Sequence, residues 1–130
     1  MPSIIGEWRL ADSRATDDAG KPIHPPYGPK PIGLLQFTAE GRMMAVLCDG
    51  RVTIPTGEPE REYNSYCGQY TFDGSTLVTR VDGATQLDRI GGDQVRRVEF
   101  RGEQMVLFPP PRPLGKLTQH RELIWERIKR

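Results

Sequence analysis

The residues in this chain best suited to chemistry are arginines and tyrosines set among apolar neighbours. Alternate residues of a strand share a face. Over residues 94–101, Arg96 therefore lies with Val98 and Phe100, while Val95, Arg97, Glu99 and Arg101 take the other side. Over residues 120–128 the same rule groups Arg121 with Leu123, Trp125 and Arg127. Glu122 and Glu126 belong in water, which leaves Ile124 and Ile128 on the outer side with them. A guanidinium turned into an apolar interior needs a carboxylate, a carbonyl or an anionic ligand, because an unpaired buried charge is costly. Asp88, Glu99 or a backbone carbonyl could serve Arg96 and Arg121. Alternatively, one of the two grips the carboxylate or enolate of a small molecule, a task that its planar fork suits.

Tyr27, Tyr66 and Tyr70 would add phenol hydroxyls to such a pocket, or else serve as core aromatics. His24 and His120 are the candidate general bases, since imidazole titrates near neutrality; a solvated or hydrogen-bonded histidine is the other reading. No Ser/His/Asp order, glycine-rich phosphate loop or paired-carboxylate signature occurs, so no catalytic residue is assigned.

The elements that must position these residues are short alternating strands. They read over 4–15, 33–38, 42–48, 66–72, 75–81, 84–90, 94–101, 104–108 and 120–128. Ala39-Glu40-Gly41, Asp73-Gly74 and Asp82-Gly83 mark hairpin turns. Two proline-rich runs, 22–31 and 109–113, read as loops or edges, because proline cannot donate to a sheet ladder. Residues 49–64 read as a long polar loop with a helical turn near 58–62. About nine strands joined in sequence predict an all-β, antiparallel up-and-down meander. Closing the last strand onto the first removes both edges and makes a barrel. Alternation turns Leu35 and Phe37 inward, as it does Tyr66, Tyr70 and Phe72 around Gly68. It also places Leu34, Met44, Val46 and Cys48 outside if Met43, Ala45 and Leu47 face in. Either a second copy, giving a homodimer, or the 49–64 loop is expected to cover that outer apolar patch.

The chain has 130 residues, which reads as a single domain over 1–130. Eighteen Lys and Arg against 17 Asp and Glu, with no basic tract, argue against a nucleic-acid partner. No stretch approaches the roughly 20 apolar residues of a membrane helix. Met1-Pro2-Ser3-Ile4-Ile5-Gly6 does not read as a secretory signal, so a cytoplasmic location is expected.

These residues resemble the lipocalin-like domain family of the calycin superfamily, found in bacteria and fungi. The matching words are Gly6-Glu7-Trp8, Tyr27-Gly28-Pro29 with Pro31-Ile32-Gly33, and Thr38-Ala39-Glu40-Gly41-Arg42-Met43. Tyr66-Cys67-Gly68-Gln69-Tyr70, Gln94-Val95-Arg96-Arg97 and His120-Arg121 with Trp125-Glu126-Arg127 follow in order. The resemblance implies a barrel of about eight to ten strands around an internal cavity. It also implies that Trp8 and Arg127 cross at the closed end in a cation–π contact. Family members often carry a histidine where this chain reads Thr79-Arg80-Val81, and Arg80 weakens any histidine-based mechanism.

Three roles fit such a barrel. The first is binding of a small hydrophobic or amphipathic molecule, with an anionic group met by arginine. The second is a cofactor-free isomerase, cyclase or dehydratase acting on a polyketide- or terpenoid-like compound. The third is a scaffold with a filled core. Tyr27, Tyr66, Tyr70, Arg96, Phe100 and Arg121 are the expected ligand-lining residues, and neither a cofactor nor a metal is expected.

The two cysteines, Cys48 and Cys67, have no C-x-x-C or Cys/His metal spacing and read as free thiols. Thiol titration in denaturant without reductant should therefore find both; finding neither would mean a disulfide.

Overall fold

The computed structural model describes residues 3–128. Nine strands follow in chain order: β1 (Gly6–Thr16), β2 (Pro31–Phe37), β3 (Arg42–Asp49), β4 (Tyr63–Phe72), β5 (Thr76–Ala84), β6 (Asp93–Arg101), β7 (Gln104–Phe108), β8 (Arg112–Leu114) and β9 (Leu117–Arg127). Each of β1 to β7 pairs antiparallel with the next, β7 pairs with β9, and β9 pairs back onto β1. Eight strands thus close into a barrel, and the short β8 lies beside β9 as an addition. No helix is long and apolar enough to cross a membrane among the described residues.

Alternation builds the core as expected. β3 buries Met43, Ala45 and Leu47 while Met44 and Val46 face out. β2 contributes Leu35 and Phe37, and β9 contributes Leu123 and Trp125. Two register shifts bend the sheet. One lies between Leu10 and Asp12, after which Ser13 and Ala15 carry on the inward face of β1. The other lies between Cys67 and Gly68. There a Cβ on Gly68 would run into the Arg80 carbonyl oxygen, so only glycine lets β4 and β5 approach this closely.

Several expectations need correction. Residues 84–90 are not a strand. Asp82-Gly83 continues β5, with Asp82 as the extra, unpaired residue of the register shift, instead of turning, and a single 3-10 turn over Leu87–Arg89 follows. No helical turn forms near residues 58–62, where the Pro55 and Pro59 segment stays irregular. The second proline run is, as expected, a loop with an edge segment. Arg112–Leu114 pairs with the start of β9, which begins at Leu117 rather than His120. Ile124 does face away from the lumen, but it is buried, opposite the equally buried Val106. The outer patch of Ile32, Leu34, Met44 and Val46 is 41–57% exposed, so the 49–64 loop does not cover it.

The closed end rests on Trp8, which is 2% exposed and stands opposite Arg127 in the β1–β9 register. The Arg127 guanidinium lies 4.2 Å from the indole centroid, and its Nη1 donates to the Ile5 carbonyl at 2.6 Å. Trp8 Nε1 donates to the Ile4 carbonyl at 3.0 Å. Removing a large buried aromatic leaves a cavity as well as losing transfer energy. Trp8→Ala is expected to lower the unfolding free energy by about 3–5 kcal/mol, measured by chemical denaturation. Arg127→Ala, which removes the stacking contact and the hydrogen bonds to the Ile5 and Ser3 carbonyls but leaves no large cavity, should cost less, about 1–3 kcal/mol.

Candidate functional site

At the opposite end the barrel opens into a cavity of about 590 Å³. Its wall is polar, and β6 and β9 supply its central groups, Gln94 and Arg96 from the first and Arg121 from the second. Tyr27 comes from the first proline-rich segment, Glu62 from the loop before β4, and Arg112 from β8.

Arg96 and Arg121 are partly buried, and among the described residues neither forms an ion pair with a carboxylate. Arg96 Nη1 donates to the Val95 carbonyl at 3.0 Å. Arg121 Nη2 donates to the Pro110 carbonyl at 2.9 Å, and Arg121 Nε is buried with no partner. The acids proposed as their partners are elsewhere engaged or unpaired with them. Glu99 binds Arg97 and Arg101 on the outer surface, and Asp88 lines the cavity rim. Backbone carbonyls are therefore their hydrogen-bond acceptors, while Glu62 acts on Arg121 only at longer range. Burial pulls the Arg96 pKa down, with the Arg89 charge adding to the effect. Burial, and then the Arg112 and Arg96 charges, pull Arg121 down to about 10. Both remain cations at neutral pH, held in a site that disfavours their charge.

Tyr27 stands against this pair. Burial first, then the Glu62 carboxylate, push its phenol up to about 12, so it stays a neutral hydrogen-bond donor. Its backbone is left-handed, with φ of 65°, a conformation that costs about 1–3 kcal/mol in a side chain of this kind. Surrounding contacts hold it there. The Tyr27 N–H donates to Glu62 Oε1 at 3.1 Å, and Glu62 Oε2 pairs with Arg112 Nη2 at 3.2 Å. Ser13 Oγ donates to the Pro26 carbonyl at 2.6 Å. Gly28, also left-handed, sits so close to Asp49 that a Cβ would lie 2.5 Å from its Oδ2.

Asp49 is the fixed point beneath this knuckle. It accepts from Arg51 Nη2 at 2.8 Å and from the Arg51 N–H at 3.1 Å, and Arg51 Nη1 reaches Glu58 at 2.8 Å. The sequence reading missed this network, along with Arg89, Gln94 and Arg112. Gln94 was within reach, because it shares the alternating face of Arg96. Arg89 was hidden by the mistaken strand over 84–90.

The other expected site residues do not line this cavity, although Tyr66 stands close enough to Arg96 and Tyr27 to interact electrostatically with both. Tyr66 belongs to the buried core, with the Arg89 guanidinium 4.8 Å from its ring centroid. Tyr70 donates to the Thr38 carbonyl at 2.7 Å and packs edge-on against Phe37. Phe100 packs edge-on against Phe72. Neither Tyr70 nor Phe100 reaches the cavity wall. His24 stands 3.9 Å from Glu58, and His120 Nε2 lies 2.7 Å from Asp18; neither lines this cavity. Arg80 points outward and pairs with Asp93.

A closed antiparallel barrel with one capped end and one open, polar-mouthed end is the architecture of the lipocalin type. The lipocalin-like domain family model matches residues 5–128, and the chain belongs to that family. No curated protein matches it.

The Asp49 network sets an acid limit on stability. Hydrogen bonds from Arg51 hold the Asp49 carboxyl below the usual carboxylate range. A depressed pKa contributes stability above the unfolded value of about 3.9, and that stability is lost as pH falls through the folded value. Asp49→Asn should therefore be least stable relative to wild type near neutrality. The gap between the two, measured by denaturant melts across pH, should shrink below about pH 4.

Proposed function

We propose that this protein binds a small amphipathic molecule carrying an acidic group, in the open end of the barrel. One observation carries the reading: the buried Arg121 Nε–H has no acceptor, beside a second guanidinium, Arg96, that also lacks a carboxylate. Buried cationic donors without acceptors are costly, and an anionic ligand would supply what the protein does not. The cavity size, about 590 Å³, lies within the range of small-molecule sites. Tyr27 would add a neutral donor to the same anion.

The isomerase or cyclase reading uses the same cavity and draws support from Tyr27. A phenol kept neutral beside two guanidinium groups is suited to protonate or hydrogen-bond a developing enolate.

Two dyes that differ by one sulfonate test the reading: anilinonaphthalene sulfonate and neutral phenylnaphthylamine. Losing a buried charge-assisted contact costs about 2–5 kcal/mol. In fluorescence titrations Arg96→Met should weaken the sulfonate by well over about tenfold and leave the neutral dye within about twofold. Equal losses for both dyes would leave the cavity as apolar space without an anion site.

A further inference from the structure

Most arginines of this chain are ion-paired. Among the described residues Arg61, Arg89, Arg96, Arg121 and Arg127 are not. Arg127 stacks on Trp8, and Arg61 donates to the Asp49 and Val52 carbonyls. The remaining three, Arg89, Arg96 and Arg121, all line the open cavity. The anion reading uses Arg96 and Arg121 and leaves Arg89 without a role.

Arg89 belongs to the 3-10 turn that follows β5. Its Nη1 donates to Asn64 Oδ1 at 2.9 Å, and its guanidinium lies 4.8 Å from the Tyr66 ring centroid. These two neutral contacts hold the group in place without cancelling its charge. Each of the three guanidinium groups thus spends one nitrogen on a neutral acceptor. Of their other nitrogens only Arg121 Nε is sealed, so the rest stay open to solvent. The three also stand within repelling range of one another. Burial is the largest cause of the lowered pKa of Arg96 and of Arg121, but the Arg89 charge adds to the first, and the Arg112 and Arg96 charges add to the second.

The acids of the cavity do not balance them. Glu62 pairs with Arg112 and Asp93 with Arg80. Asp88, exposed on the same turn as Arg89, is the cavity carboxylate that forms no ion pair among the described residues. Three guanidinium groups against that one carboxylate leave a local excess of two positive charges. A cleft lined by one sign of charge concentrates the other sign. A single acid would cancel half of the excess, and a dianion all of it.

We propose that Arg89 extends the anion site of Arg96 and Arg121, so that the preferred head group carries two negative charges close together, as in a 1,2-dicarboxylate or a phosphate monoester. This rests on the reading of Arg96 and Arg121 as the anion site. Charges act on one another through salt water only within about 8–10 Å. The two charges of the ligand therefore belong a few bonds apart, not at opposite ends of a chain.

The test is titration calorimetry at about pH 8 with undecanoate, 2-octylsuccinate, undecanedioate and octyl phosphate, below their aggregation limits; the second phosphate ionisation, near about 6, is then complete. 2-Octylsuccinate is undecanoate with a carboxylate added beside the first, whereas undecanedioate carries it at the far end. Wild type should bind 2-octylsuccinate, octyl phosphate or both at least about tenfold more tightly than undecanoate or undecanedioate. The tighter of the two tells a dicarboxylate head from a phosphate. Arg89→Met should weaken the close dianions much more than undecanoate and bring the ratio to within about twofold. Arg89→Gln carries the test if Arg89→Met does not fold. If undecanoate binds and depends on Arg96 but neither close dianion exceeds it, the second charge is refuted and the anion site stands. A preference that survives undiminished in the Arg89 variants, or that undecanedioate shares, refutes it as well. If none of the probes binds, both readings fall.

Discussion

Everything in this molecule depends on the pairing of β1 with β9. Without it the chain is an open meander with two bare edges, each a row of unpaired N–H and C=O groups. With it the sheet has an inside. The pairing runs from Trp8 opposite Arg127 to Thr16 opposite His120, so the longest strands of the chain zip the barrel along its whole height. Trp8 plugs one end of the lumen, and the residues near Thr16 and His120 frame the other. Closure thus creates the inequality between a dry end and a wet one, on which the site depends.

That inequality explains how residues of the same strand come to have different roles. Val98 on β6 joins the sealed core, whereas Arg96 and Gln94, toward the open end, meet the cavity. On β9, Trp125 and Leu123 are core, and Arg121 is cavity wall. The rigid ladder holds each polar group beside apolar neighbours that cannot relax around it. A guanidinium fixed in this way keeps its charge in a poor environment.

The open end is built from segments with almost no regular structure, yet it is well ordered by contacts. Tyr27 keeps an unfavourable backbone angle because Glu62, Pro26 and Asp49 hold the chain on either side of it. Asp49 closes the last strand position of β3 and also anchors Arg51, so one carboxylate ties the barrel wall to the loop that frames the cavity.

Alternation along each strand depends only on neighbours two residues apart, so the sequence by itself determined the inward rows of β2, β3, β6 and β9, and with them the inward turn of Arg96 and Arg121. Turn residues placed most of the hairpins for the same local reason. Asp82-Gly83 does not turn because pairing with β4 absorbs Asp82 as a bulge and lets β5 continue to Ala84. The strand within the second proline run depended on an available partner in β9. Which inward residues meet solvent and which meet core was decided only by tertiary structure, since Tyr70 and Arg96 look alike along the chain. Barrel closure and the tilt of the strands set Tyr70 against Phe37 and Thr38, and set Arg96 beside Arg121, Gln94 and Tyr27. Those contacts join residues far apart in sequence, and no local pattern records them.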